Sequence, residues 1–125
     1  MLLEHFDETG INAQDGRLET ALHYAAFYGH QSVVEIMLTD SRVYFDVQDA
    51  EGVSPLHWAA LQGHHDILQQ LLHAGAYPNF QEYQIQSATP LDYANSAGHT
   101  DSVAVLEQYQ GVYANTIREL SLIHI

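Results

Sequence analysis

The apolar positions of the chain recur at helical spacing in three segments. They are Val33, Val34, Met37 and Leu38; then Ile67, Leu68, Leu71 and Leu72; and, more weakly, Ser102, Val103, Leu106 and Glu107. Positions three and four residues apart lie on one face of a helix, so each segment predicts a helix that buries one face. Because a Glu at position 107 belongs in water, we expect the third helix near the end of a stack.

A second pattern precedes each of these helices and occurs in three copies. The copies read TALHYAAFYGH at 20–30, SPLHWAALQGH at 54–64 and TPLDYANSAGH at 89–99. Each begins with a hydroxyl residue that can cap a helix N-terminus, and in two copies proline follows at the first helical position. Each closes on a glycine, which readily ends a helix. The pattern predicts a short helix followed by a turn and the apolar helix above.

These copies resemble the ankyrin repeat, whose core reads Asp-x-x-Gly-x-Thr-Pro-Leu-His-x-Ala-Ala-x-x-Gly-His. The resemblance covers about residues 12–110 and implies an all-α solenoid of about three helix-turn-helix repeats with β-turn links. The expected units are repeats at about 12–45, 46–80 and 81–111 and a short capping helix at about 112–119, within one domain of residues 1–119. Residues 2–12 resemble the end of an earlier repeat, so we expect a partial repeat at the N-terminus.

The sequence departs from the family pattern at a few positions. Leu18 and Ser87 stand where the turn glycine belongs, which Gly52 alone matches, so we expect distorted first and third turns. The link after Gln81 is two residues longer than usual, and Asp92 replaces the histidine of the third copy.

The third copy also resembles the closing repeat of the inversin (nephrocystin-2) group of ciliary scaffolds. The shared features are the aromatic-Pro-Asn entry at 77–79, the lengthened link and the segment TPLDYA at 89–94. This resemblance implies an association with the cilium. Residues 120–125, LSLIHI, resemble the translation of a transposon adaptor used in sequencing libraries. We therefore expect a non-native tail there and a natural chain that continues beyond Glu119.

Charge narrows the classes of partner. Sixteen Asp and Glu stand against three Arg and no Lys, which gives a net charge of −13. Such a chain repels nucleic-acid phosphates and anionic membrane surfaces, and a basic patch on a protein partner would complement it. No apolar run approaches the roughly 20 residues of a membrane span. We expect a cytoplasmic monomer that binds a protein, not a nucleic acid or a membrane.

The sequence favours neither catalysis nor a bound metal or cofactor. Without Lys or Cys, the chain lacks a P-loop lysine, thiol nucleophiles and zinc knuckles. Ser54 precedes a proline at a helix start, where capping uses its hydroxyl. Five of the nine histidines lie at family positions, where the resemblance implies that they bond turn backbone and connect neighbouring repeats: His23, His30, His57, His64 and His99.

The resemblance also implies where a partner binds, because ankyrin partners usually contact the turn tips and the outer positions of the first helices on a concave face. The corresponding positions here are Arg17, Glu19, Phe27, Tyr28, Glu51, Val53, Leu61, Gln62, Gln86 and Ser96, together with Ala88 and Ala97. Phe27 and Tyr28 are adjacent aromatics that form either a binding hot spot or a cover for a missing neighbouring repeat. We predict a packing role for Tyr24 and Trp58.

The function that these expectations favour is a non-catalytic scaffold for protein–protein interaction. The alternative is a targeting or substrate-recruiting module of a longer protein whose C-terminal part is catalytic or regulatory.

Overall fold

The computed structural model describes residues 8–84 and 86–123, with side chains for 10–84 and 86–120. Its helices are α1 (Glu8–Ile11), α2 (Ala21–Tyr28), α3 (Gln31–Leu38), α4 (Pro55–Gln62), α5 (His65–His73), α6 (Pro90–Ser96), α7 (Thr100–Gln108) and α8 (Ala114–Ile123). These ranges contain no β-strand. The predicted all-α solenoid is therefore confirmed, with three helix pairs, α2/α3, α4/α5 and α6/α7.

The helix pairs stack in two rows. Helix α4 packs between α2 and α6, while α5 packs between α3 and α7. Leu22, Leu56 and Leu91 occupy equivalent positions of the first row and are almost completely buried. We call the side formed by α2, α4, α6 and the turns before them the inner face.

The predicted N-caps of the three first-row helices are confirmed, and so are the glycine C-caps of α2 and α4. Helix α6 instead ends at Ser96 with Ala97 as its C-cap, one residue before Gly98. The hydroxyl groups of Thr20, Ser54 and Thr89 each accept the backbone N–H three residues later. Gly29 and Gly63 follow α2 and α4 in the left-handed conformation that glycine adopts most easily. In each first-row helix the cap therefore satisfies one of the free amide groups of the first turn.

The first turn has the same geometry as the second, so the expected distortion there was wrong. Leu18 adopts a left-handed φ of 63°, close to the 84° of Gly52 at the equivalent position. Ser87 does the same in the third turn, at 50°. A side chain in this conformation is strained, and the fold accepts that strain in two of its three turns.

Carboxylates hold these turns together. Asp15 Oδ1 accepts the backbone N–H groups of Arg17 and Glu19, and Asp49 repeats this arrangement in the second turn. The third turn is longer, and the longer side chain of Glu82 reaches across it to accept the Ala88 N–H at 3.0 Å.

Four of the five histidines at family positions join neighbouring repeats, as the resemblance implied, whereas His30 is exposed and stacks on Tyr28 of its own repeat. The Nε2 atoms of His23 and His57 lie 2.9 Å from the carbonyl oxygens of Val53 and Ala88 in the following turns. Two other histidines reach back to the preceding first-row helix: His64 Nε2 to the Phe27 carbonyl and His99 Nε2 to the Leu61 carbonyl, both at 3.1 Å.

Asp92 joins the third repeat to α8 in place of the missing histidine. Its Oδ2 atom accepts the Ala114 N–H at 2.9 Å, and Thr89 Oγ1 donates to the Val112 carbonyl at 2.6 Å. These bonds connect α6 to the start of α8, where Ala114 is buried.

Three details of the expected helices are corrected. Helix α8 runs from Ala114 to Ile123, not over 112–119, and so continues into the segment that we expected to be a non-native tail. Val33 is exposed because it lies on the outer side of α3, whereas Val34 and Met37 are buried. Of the partial N-terminal repeat, only α1 and the residues after it are described; residues 1–7 and 124–125 lie outside the described residues.

Candidate functional site

A cavity opens on the inner face between the first and second repeats. It measures about 150 Å³, and its lining consists of Arg17, Glu19, His23, Tyr24, Phe27, Tyr28 and Trp58. We call it the aromatic cavity, because four of these side chains are aromatic. All but Trp58 come from the first turn and α2, while α4 contributes Trp58.

The aromatic rings of the cavity meet edge to face. The Phe27 centroid lies 5.4 Å from that of Trp58 and 4.9 Å from that of Tyr28, with planes inclined at 81° and 75°. In an edge-to-face pair, the ring that presents its edge keeps both of its faces uncovered by that neighbour. The Tyr28 ring also stacks on His30, with centroids 6.1 Å apart and planes inclined at 27°. The cavity wall therefore includes ring faces that are not stacked on one another, while one face of Tyr28 meets His30.

Two carboxylates orient the polar ends of these aromatics. Trp58 Nε1 donates to Glu19 Oε1 at 2.9 Å, and the Tyr24 hydroxyl donates to Asp15 Oδ2. The bond to Asp15 raises the pKa of Tyr24 to about 12, and the same bond is the main reason that the pKa of Asp15 is lowered. Tyr24 is thus a neutral hydroxyl donor at physiological pH, and Asp15 is an anion.

A larger cavity lies on the same face between the second and third repeats and α8. It measures about 540 Å³, and it is lined by Leu61, Gln86, Ala88, Asp92, Tyr93, Ser96, Ala114, Asn115 and Arg118. Tyr93 occupies the position equivalent to Tyr24, and its hydroxyl donates to Glu82 Oε2 at 3.4 Å. Burial, with Glu82 adding to it, raises the pKa of Tyr93.

The turn tips form a continuous edge beside the two cavities. The Ala50 N–H donates to the Arg17 carbonyl at 3.0 Å, and the Tyr83 N–H donates to the Glu51 carbonyl at 2.7 Å. The side chains also connect, because Arg17 Nη2 lies 3.7 Å from Glu51 Oε1 and Gln84 Nε2 donates to Glu51 Oε2. Backbone bonds therefore fix the spacing of the tips.

The structure groups most of the predicted partner-binding residues around these features. Arg17, Glu19, Phe27 and Tyr28 line the aromatic cavity, whereas Leu61, Gln86, Ala88 and Ser96 line the larger one. Glu51 lies on the edge of turn tips. Gln62 and Ala97 are exposed but line neither of these cavities.

Val53 does not fit the predicted surface. Its side chain is only 2% exposed, because its N–H bonds to Asp49 and its carbonyl oxygen to His23, which hold the residue inside the stack. Glu19 is also buried, at 8% exposure, although it borders the aromatic cavity.

Two residues for which we predicted a packing role also line the aromatic cavity; of these, Trp58 packs against the apolar core as predicted. Trp58 is half-buried and Tyr24 is 42% exposed, and both line the aromatic cavity. The available signal was the recurrence of an aromatic at this position in all three copies, as Tyr24, Trp58 and Tyr93. An aromatic that recurs on a partly exposed helix position is available for binding as well as for packing.

The chemistry of this face is that of a recognition surface. Within the described side chains, no group of three or more His, Asp or Glu is placed to hold a metal ion. Among the described helices, none is both long and apolar enough to cross a membrane. What the face presents is aromatic rings, carboxylates and amide groups.

Comparison with known families agrees with the stacked helix pairs. A family model described as "Ankyrin repeats (3 copies)" matches residues 1–82 and again residues 45–117, so the two matches together span most of the chain. No curated protein sequence matches the chain.

Proposed function

The chain belongs to the ankyrin-repeat family, and from that premise we propose that it is a non-catalytic module that binds a protein partner through its inner face. Proteins of this family are generally protein-interaction modules, and the family is typically non-catalytic. The contact surface that we propose consists of the two cavities and the edge of turn tips beside them.

The observation that carries this proposal is the exposed aromatic pair at the aromatic cavity. Tyr28 is 62% exposed, and its ring rests edge to face on the half-buried Phe27. Exposing an aromatic ring to water is unfavourable, and a polar residue at the end of α2 would serve the fold as well. Aromatics of this kind supply much of the binding energy of protein interfaces.

The partner that fits this face presents a basic patch. Sixteen acidic residues stand against three arginines, of which Arg17 lies beside Glu51 and Arg42 is bonded to Asp40, so negative charge is in large excess. Complementary charge mainly accelerates association. Association with such a partner should therefore slow as salt rises from about 0.1 to about 0.3 M, where the Debye length falls below roughly 10 Å.

The experiment is affinity capture with three forms of the chain. Tyr28→Ser removes the exposed ring, and Ile36→Ser is the matched control, because Ile36 is an exposed apolar residue of the outer helix α3. A partner captured by the unaltered chain and by Ile36→Ser but lost with Tyr28→Ser supports the proposal. A partner retained equally by all three forms would place the interface elsewhere.

We further propose that the chain is an inversin-like scaffold of the cytoplasm or cilium. The support is the sequence resemblance of the third copy, in the aromatic-Pro-Asn entry at 77–79 and the segment TPLDYA at 89–94. In the structure, the Tyr77 and Phe80 rings of this link meet edge to face at 4.9 Å. In the same segment, Asn79 donates to the Gln110 carbonyl and accepts the Val112 N–H. Reading the uninterrupted transcript beyond the codon for Glu119 tests this: a calmodulin-binding IQ motif is expected, and a catalytic domain there would instead favour a recruiting module.

A further inference from the structure

We propose that the aromatic cavity receives the alkylammonium head of a lysine side chain carried by the protein partner. This inference rests on the proposed function and names the chemistry that the inner face recognises. A cation near the faces of several aromatic rings is attracted by their negative π-clouds, and Trp is the strongest such partner. The cavity offers the rings of Tyr24, Phe27, Tyr28 and Trp58.

The carboxylate of Glu19 contributes negative charge to the wall of the cavity. Glu19 is 8% exposed and lines the cavity, and its Oε1 atom accepts the indole N–H of Trp58. One hydrogen bond uses only part of the acceptor capacity of a carboxylate, so further acceptor positions are available to a cationic donor. A buried carboxylate is costly unless it is paired, and an ammonium group in the cavity would pair it.

Arg17 also lines the cavity, and its positive charge would repel a bound cation. Its guanidinium lies 3.7 Å from Glu51 Oε1, and its side chain is 66% exposed. Glu19 and Arg17 are the charged residues that line the cavity. Two further carboxylates lie next to lining groups, because Asp15 accepts the Tyr24 hydroxyl and Glu51 lies beside Arg17. The local balance is therefore negative, as is that of the whole chain.

The size of the cavity suits a side-chain head and excludes a larger element. A cavity of about 150 Å³ holds a group about the size of benzene. Methylation enlarges an ammonium head to about that size and makes it easier to strip of water, while keeping its charge. Among lysine forms, we expect affinity to rise with the number of methyl groups.

The test uses a short glycine-flanked peptide with one central lysine, prepared unmodified and with one, two or three Nε-methyl groups. A fifth peptide carries the neutral isostere, in which carbon replaces the trimethylated nitrogen. Trp58 is the only tryptophan, so the NMR signal of its indole N–H reports directly on the cavity. We expect this signal to shift on titration with the trimethyl peptide, and the neutral isostere to bind about tenfold more weakly.

Two substitutions should act in opposite directions. Glu19→Gln retains an oxygen acceptor for Trp58 but removes the charge, so it should weaken binding of the trimethyl peptide about three- to tenfold. Arg17→Gln removes the opposing cation and should tighten binding. Glu107→Gln is the matched control, since it removes the same charge from the exposed end of α7, and should leave affinity within about twofold.

Equal affinity for the charged peptide and its neutral isostere would overturn the inference, and so would parallel effects of Glu19→Gln and Arg17→Gln. If no peptide shifts the Trp58 signal while capture of a partner still depends on Tyr28, the proposed function stands and the lysine assignment is wrong. If the peptides bind but capture does not depend on Tyr28, the cavity binds cations and the proposed interface is wrong.

Discussion

The buried His57 ring accepts the backbone N–H of Ser54 at Nδ1, over 3.1 Å, so in the neutral ring the proton lies on Nε2, which donates to the Ala88 carbonyl. If Nδ1 were protonated, its N–H would face the backbone N–H of Ser54, and two donors cannot form a hydrogen bond. Burial lowers the pKa of His57 to about 4, although Asp49 and Asp92 partly oppose this effect. Burial also lowers the pKa of His23, which makes the equivalent contacts.

The lowered pKa values of these two histidines predict that the folded chain loses stability in mild acid. Because the folded pKa of His57 lies below its ordinary 6.5, the unfolded chain takes up protons first as the pH falls. The contribution of His57 to the free energy of unfolding is fully present above about pH 6.5 and falls by roughly 3 kcal/mol by pH 4. Urea denaturation at several pH values between these limits measures it. His57→Gln should flatten the dependence on pH, and the exposed control His73→Gln should not; equal slopes would contradict this account.

The left-handed turn residue Leu18 predicts a stabilising substitution. Leu18→Gly should raise the free energy of unfolding by about 1 kcal/mol, because glycine adopts a φ of 63° without strain. Little burial is lost, since Leu18 is 46% exposed. At the equivalent position, Gly52→Ala should lower the free energy of unfolding, because the new Cβ atom would lie 2.7 Å from the Tyr83 ring. Denaturant midpoints of the two variants that move in the same direction would contradict this explanation.

A hydrogen bond to Asp92 attaches the first turn of helix α8 to the last repeat. Asp92 Oδ2 accepts the N–H groups of Thr89 and Ala114, so Asp92→Ala should lower the free energy of unfolding by about 1–3 kcal/mol. Asp101→Ala is the matched control, in the exposed first turn of α7, with an expected cost of a few tenths of a kcal/mol. Chemical denaturation compares them, and equal midpoints would show that Asp92 does not hold α8.

The same contacts predict how α8 responds to truncation. Removing residues 120–125 leaves Thr89, Asp92 and Ala114 in place, and Leu120 is exposed, so the unfolding midpoint should hardly change. Removing everything after Gly111 leaves Thr89 without its Val112 acceptor and Asp92 without its Ala114 donor, and should lower the midpoint. A large loss from the shorter deletion would mean that residues 120–125 make stabilising contacts.

The features predicted from sequence are those that recur in successive copies. The capping hydroxyls, the helix-ending glycines and the bridging histidines recur in the copies, so one pattern states them all. The bond from Trp58 to Glu19 joins residues 39 positions apart, and the residues equivalent to Glu19 are Val53 and Ala88, which lack a carboxylate. A contact made once, between two repeats, leaves no periodic signal. The aromatic cavity therefore became visible only in the structure.

At the scale of the whole molecule, stability comes from stacking, because a single repeat of this kind cannot bury its own apolar face. Each first-row helix contributes one leucine to the interface between repeats, and all three leucines are at most 2% exposed. Leu56 belongs to α4, which packs against both α2 and α6, whereas Leu22 and Leu91 lie in the outer two helices of the row.

Leu56→Ala should therefore cost more stability than the same change at Leu22 or Leu91. Truncating a buried leucine opens a cavity and costs about 2–5 kcal/mol, and the upper part of that range applies where neighbours on both sides hold the cavity open. That loss is comparable with the whole stability of a small domain, about 5–15 kcal/mol. Urea denaturation of the three variants gives the order. If Leu56→Ala unfolds at the midpoint of the unaltered chain, or if Leu22→Ala costs more, the middle repeat is not the centre of the stack.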